Sequence, residues 1–347
     1  MSKLIYVIVL SGHSSLQKIG ANLPGSIDLE SRVKKAKRWL DSKYSDYQTW
    51  YLPHIQSLLA GLARKGYLIF VIDGSEIGKD CMALMISVVW KKRALPICWI
   101  VKQRKKGHFP ASIHVELLEI LKCLVPDGCK IFLLGDGEFD NIDIQEFCRN
   151  THWAYVLRTA KNNLIEVQSG EQFPIGDLSP EQGADHWLIE DVYFTKQRYG
   201  VINCVVWHCP KHQNPIYLVT NLEYGQEVIE LYDQRYNIET IFGDIKSRGF
   251  NIHKVKINNP DRLSTLLMIV CIAFLMVFAF GTFDKKLAPY LARFMRKDRV
   301  DDYSVFQIGL RGMQHFIKEK IKLFPKFKKK YLKYILKNTQ MFLVILL

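Results

Sequence analysis

Three carboxylates in this chain have surroundings that would let them act together on a phosphodiester. Asp73 closes the apolar run YLIFVI, Asp136 closes the apolar run KIFLLG, and Glu239 lies within YDQRYNIETIFGDIK. Carboxylates are hard oxygen donors suited to Mg²⁺ or Mn²⁺. Two such ions roughly 3.5–4 Å apart stabilise the attacking and leaving oxygens of an in-line phosphoryl displacement. Around Glu239, the residues Tyr232, Arg235 and Lys246 are spaced so that successive steps are three, four and seven residues. At about 100° per residue the four positions fall within an arc of roughly 60°, so one helix face would carry a carboxylate among a phenol and two cations. Arg235 would grip phosphate as a planar fork and Lys246 as a point charge. A solvated face with an Arg–Glu pair four residues apart is the competing reading, and such a pair contributes only a few tenths of a kcal/mol. Two upstream strands that each end in Asp weigh against it.

The elements that must place these residues follow from the pattern. YLIFVID, CMALMISVVW and LPICWIVK read as three strands, residues 112–124 as an amphipathic helix and KIFLLGD as a fourth strand. A helix near 140–149 and a strand at WAYVLR complete an α/β sheet. Both Asp residues would then sit at strand carboxyl ends, where open α/β sheets place their sites. Residues 160–223 hold several strand-like runs and no convincing helix, and read as a β-rich insertion. Helix resumes from about Glu227 through Lys246. The run Leu266–Phe280 is wholly apolar over about 15 residues, short of the roughly 20 a bilayer needs, and reads as a buried core helix. The domain reading is therefore 1–66 helical and DNA-end-binding, 67–159 first part of the core, 160–223 insertion, 224–283 completion of the core, and 284–347 basic and helical. No account is offered for the apolar last residues MFLVILL.

Charge agrees with a polyanionic partner. The chain carries a formal +14; residues 1–66 hold +6 and residues 285–347 hold +12, which leaves −4 for the centre. Basic ends flanking an acidic middle suit a protein that grips phosphates at its ends and holds carboxylates at its centre. Eight cysteines without a CxxC pair read as reduced thiols, which implies a cytoplasmic protein. Cys204, His208, Cys209 and His212 lack the separated ligand pairs of zinc modules.

The segment YDQRYNIETIFGDIK resembles the Tyr-x2-Arg-x3-Glu-x6-Lys signature of a group of bacterial insertion-sequence DDE transposases. The blocks VIDGSEIGKDCMALMISVVW, LLGDGEFD and SRGFNIHKVKINNPDRLSTLL are similar to that group as well, so the resemblance spans roughly residues 20–283. It implies a ribonuclease H-like mixed α/β fold, with Asp73, Asp136 and Glu239 holding two Mg²⁺ (or Mn²⁺) ions. Tyr232, Arg235, Lys246 and Tyr236 would contact DNA at the transposon end. Implied too are cut-and-paste chemistry through a hairpin, double-stranded DNA partners (terminal inverted repeats and target), a homodimer in synapsis and no membrane. Two departures stand out. Gly137 replaces a basic residue that often follows the second Asp, and no Trp aligns clearly with a base-stacking one; Trp187, Trp207 and Tyr217 are the candidates. Among nearby acids Glu76, Asp80, Glu138 and Asp140, none ends an apolar run as Asp136 does. The alternatives are a structure-specific nuclease on the same core and an inactive DNA-binding derivative.

Overall fold

The computed structural model describes residues 1–104, 107–183, 185–210, 213–282 and 303–319. Its centre is a meander of β1 (Tyr67–Ile77), β2 (Cys81–Trp90) and β3 (Arg93–Gln103), followed by β4 (Lys130–Gly135) and β5 (Ala154–Thr159). The order across the sheet is β3-β2-β1-β4-β5; β1, β2 and β3 pair antiparallel, whereas β4 and β5 run parallel to β1. Parallel neighbours need crossover connections, supplied here by α6 (Ala111–Lys122) and α7 (Ile142–Thr151). This is the ribonuclease H-like mixed arrangement. After Lys130, β4 is buried throughout, and β2 is buried over its first eight residues, so both read as near-continuous apolar runs rather than alternating ones.

The segment 160–223 does not stand apart from that sheet. It contributes β6 (Leu164–Glu166), β7 (Gln172–Pro174), β8 (Trp187–Phe194), β9 (Tyr199–Trp207) and β10 (Ile216–Thr220). β10 pairs antiparallel with β5, from Tyr217 opposite Thr159 to Thr220 opposite Val156, and the order continues β10-β9-β8-β6-β7. The expected inserted unit therefore lengthens the core sheet to ten strands among the described residues.

Helices cover the ends. The apolar start of the chain forms α1 (Ser2–Ser11); then come α2 (Leu16–Asn22), α3 (Leu29–Leu40), α4 (Tyr47–Trp50) and α5 (Leu52–Leu62). α3 buries Ala36 and Leu40 and exposes Lys34, Lys35, Lys37 and Arg38. The hydroxyls of Tyr47 and Tyr51 donate to the Trp99 and Pro96 carbonyls of β3, at 3.0 and 2.7 Å, which ties this helical region to the sheet. After α8 (Gly225–Tyr232) and α9 (Asn237–Ile245), the apolar run lies in α10 (Pro260–Thr282). At 23 residues α10 is longer than the run suggested, and by length and composition it could cross a bilayer. Its surface is nonetheless largely buried in the protein, against β3, α1 and α11 (Val305–Lys318). Most of the region expected as a basic C-terminal helix, including MFLVILL, lies outside the described residues.

Candidate active site

The parallel ladder between β1 and β4 sets the first two carboxylates side by side. Its last pair is Val71 with Leu134, and just beyond it Asp73 and Asp136 both face the same Arg235 Nη2, at 3.6 and 2.9 Å. Asp73 is not at the end of its strand, as the sequence suggested. β2 keeps pairing with β1 from Asp73 opposite Met85 to Ile77 opposite Cys81, after the β4 ladder has run out. Asp136 directly follows β4 and opens a turn: its Oδ1 accepts from the Glu138 N–H at 3.0 Å, and its carbonyl from the Phe139 N–H at 3.0 Å. Gly135 is required there, because a Cβ would lie 2.7 Å from that of Phe139.

The third carboxylate arrives on a broken helix rather than a continuous one. α8 ends at Tyr232, a 3-10 turn covers Asp233–Tyr236, α9 carries Glu239, and Lys246 lies one residue past its end. Tight turns of this kind advance about 120° per residue rather than 100°, so Tyr232 and Arg235 eclipse and Glu239 stays on their side, as the spacing led one to expect, while Lys246 follows the end of α9. In the turn, Arg235 is buried, and its Nη1 donates to Glu239 Oε1 at 3.0 Å while Nη2 donates to Asp136 Oδ2 at 2.9 Å. The same Nη2 lies 3.6 Å from Asp73 Oδ2. One guanidinium thus stands among all three carboxylates.

Electrostatics at this cluster is dominated by burial. Burial pushes the Asp73 carboxyl up to about 7, with the Asp136 and Glu138 charges adding and Arg235 opposing. For Arg235 the surrounding carboxylates outweigh burial and strengthen its hold on its proton. Tyr232 is packed inside, 1% exposed, and burial pushes its hydroxyl up to about 12. That residue is a wall of the site rather than an exposed phosphate contact. Tyr236 is half-buried, its ring 5.3 Å from the Arg235 guanidinium carbon. The Lys246 ammonium, lowered by burial, is within the fields of Glu76 and Asp73 and so belongs to the same cluster.

The other acids have separate duties. Glu138 accepts from the Phe109 N–H at 2.6 Å and approaches His108 Nδ1 at 3.2 Å and His114 Nε2 at 3.5 Å, holding the approach to α6 against the turn after β4. Burial would raise Glu138, but the two histidines and the Phe109 N–H hold it below its ordinary value. Asp140 accepts from Thr159 and Asn163, and Asp80 is exposed. Sequence reasoning missed Arg158. The β4–β5 register runs to Gly135 opposite Leu157, which brings Arg158 level with Asp136. It is exposed, its backbone carbonyl lies 4.0 Å from where a Cβ on Gly137 would stand, and its charge is felt at Tyr232. Only strand register carries that signal. Of the candidate stacking aromatics, Tyr217 is buried, Trp207 half-buried and Trp187 exposed at the start of β8.

The donor set matches a divalent cation in chemistry, since three hard-oxygen side chains already face one positive centre. They are spread around the width of a guanidinium. Among the described residues no three His, Cys, Asp or Glu side chains lie close enough to hold a metal ion as they stand. The same holds for Cys204, His208 and Cys209, where both thiols are buried and His208 Nδ1 faces the Pro180 carbonyl; His212 lies outside the described residues.

With its ribonuclease H-like sheet and an acidic cluster at the end of the parallel ladder, the chain belongs to the transposase DDE domain family, whose model matches residues 64–276. No curated protein matches the chain. Among solved structures it is similar to a piggyBac transposase in a synaptic complex with hairpin DNA, at 14% identity and a TM-score of 0.42 over 78% of this chain. This chain spans 57% of that one. It is also similar to Endonuclease V of Ciona intestinalis in complex with a 24mer DNA containing an inosine followed by a ribo-adenosine. That likeness has 14% identity and a TM-score of 0.30, covering 56% of this chain and 95% of that one.

Proposed function

We propose that this protein is an insertion-sequence transposase that cuts double-stranded DNA at the ends of its element and joins them to a target, with Asp73, Asp136 and Glu239 as its catalytic carboxylates. The observation that carries this reading is the meeting of those three side chains on one cationic centre at the end of the parallel ladder. Asp73, Asp136 and Glu239 would hold Mg²⁺ or Mn²⁺, two ions in all. Such ions, when bound, supply Lewis acidity to the phosphodiester and stabilise the attacking and leaving oxygens.

The rest of the chemistry belongs to the chain. Asp73 and Asp136 are each held by a backbone N–H, from Gly74 and Glu138 respectively. Arg235 stands among the carboxylates, Lys246 is within the field of Asp73 and Arg158 within that of Tyr232, and these cations would meet the phosphates of a DNA strand. Tyr236, half-buried, lies beside the Arg235 guanidinium. The reaction order is end nicking, attack of the freed 3′-hydroxyl on the opposite strand to form a hairpin, hairpin opening and strand transfer. The active unit is a homodimer that brings two ends together. The exposed lysines of α3 add to the DNA grip.

The test is cleavage and joining of a labelled duplex bearing the element's own ends, comparing wild type with Glu239→Ala. Hairpin and joined products from wild type, with DNA binding but neither product from the variant, support the reading. Cutting without joining points instead to a nuclease, and binding without cutting in either metal refutes an active enzyme.

A further inference from the structure

Arg235 holds a position that a phosphate-binding residue would not need. Its guanidinium is buried, its Nη2 is 2.9 Å from Asp136 Oδ2 and 3.6 Å from Asp73 Oδ2, and its Nη1 is 3.0 Å from Glu239 Oε1. The carboxylates are separated by that guanidinium, so that no three acidic or histidine side chains among the described residues reach one ion. A ligating oxygen must come within about 2.1 Å of Mg²⁺. The Asp136 oxygen that would do so is the one now engaged by Nη2.

The geometry points to Arg235 as an internal cation that competes with the catalytic metal for the three carboxylates. The guanidinium and a divalent ion claim the same lone pairs and repel each other at that range. For the carboxylates to close on an ion, Arg235 must withdraw. The 3-10 turn that carries it, Asp233–Tyr236, separates α8 from α9 and is where such a movement would be absorbed. Outside the carboxylates the guanidinium faces half-buried Tyr236, and on that side a DNA phosphate would take it over. Metal and DNA phosphate would therefore help each other: the ion releases the arginine, and the phosphate keeps it released. Arg235 is a positioning residue in this scheme, acting through the carboxylates. The scheme rests on the metal-binding reading above.

The test is Mn²⁺ binding by the full chain without DNA, read by electron paramagnetic resonance and calorimetry at pH 8, for wild type, Arg235→Gln and Arg235→Lys. The expected result is Mn²⁺ affinity about tenfold higher in Arg235→Gln, with a smaller rise in Arg235→Lys, whose single ammonium cannot bridge three carboxylates. Thermal unfolding should show a larger Mn²⁺-induced rise for Arg235→Gln than for wild type. Should Arg235→Gln fail to fold, wild type still decides: nitrogen NMR of its arginine side chains should show one guanidinium with hindered rotation that is freed by Mg²⁺. Equal or weaker Mn²⁺ binding by folded variants, or a guanidinium indifferent to Mg²⁺, overturns the competition and leaves the metal reading intact. No Mn²⁺ binding by any form overturns both.

Discussion

Replacing Glu138 by alanine separates two roles that its place, two residues after Asp136, leaves open. In the structure Glu138 accepts from the buried Phe109 N–H at 2.6 Å, and its carboxylate comes within 3.5 Å of Nε2 of His114, whose side chain is 1% exposed. Truncation strands the Phe109 donor, which costs about 1–3 kcal/mol, and removes the negative charge beside His114. Relief from burying the Glu138 charge returns part of that, so a net loss of about 1–2 kcal/mol is expected. Gln at 138 keeps an acceptor for Phe109 but can set an amide N–H against His114, and should fall between. The pH dependence has a definite sign. Glu138 is held below its ordinary 4.5 in the folded state, so its stabilising contribution is complete above that value and is lost as pH falls through the folded one. Urea unfolding at pH 7 and at pH 3.5 measures this, and the gap between wild type and Glu138→Ala should narrow at the lower pH. Cleavage by the alanine variant should be reduced, not abolished, with Mn²⁺ affinity kept. A variant as stable as wild type would refute the reasoning, and one that loses Mn²⁺, as Asp136→Ala is expected to, would make Glu138 a ligand.

Four further outcomes follow from the geometry. Asp244 is 1% exposed between Arg248 and Arg93, and burial pushes it up to about 6, so stability should fall as pH rises from about 4 to 6. Asp244→Asn should remove that slope, at most about 3 kcal/mol, in urea midpoints taken at pH 4 and 6.5. Arg158→Ala should weaken DNA binding and lower the salt slope by about 0.9 in a fluorescence-anisotropy titration, while Mn²⁺ binding stays unchanged. At the crossing of α10 and α11 a Cβ on Gly309 would lie 2.0 Å from the Val277 carbonyl oxygen. Gly309→Ala should therefore lower stability by about 2 kcal/mol or more. Gly61→Ala, in α5 with nothing within 4 Å, should be neutral or stabilising by thermal unfolding.

Asp73 and Asp136 were legible because each closes a run of buried strand residues, a purely local pattern. Their adjacency was expected from fold resemblance, but the pairing that produces it, Val71 with Leu134, joins residues far apart in the chain. Arg158 was missed for the same reason: nothing near it in sequence marks it, and only the β4–β5 register brings it level with Asp136. Helical spacing grouped Tyr232, Arg235, Glu239 and Lys246, and the grouping survives the tightening of the helix at Asp233–Tyr236, while the contact of Arg235 with Asp136 joins residues far apart in the chain and left no local trace. Burial of Tyr232 was likewise invisible, since an aromatic beside charges suits a wall as well as a surface. In the segment 160–223 the runs predicted strands, while the partner of the last strand, β5, could not be read from them.

Direct metal ligation by the carboxylates is the central claim, and Asp136→Cys tests it most simply. A thiolate is a softer ligand than a carboxylate and discriminates against Mg²⁺ in favour of softer ions. Strand cleavage of an end-bearing duplex would be measured for this variant in Mg²⁺ and in Mn²⁺, with DNA binding checked in both. The account predicts no cleavage in Mg²⁺ and recovery in Mn²⁺. Cleavage by the variant in Mg²⁺ at the wild-type rate, or none in either metal while DNA binding is intact, would contradict it.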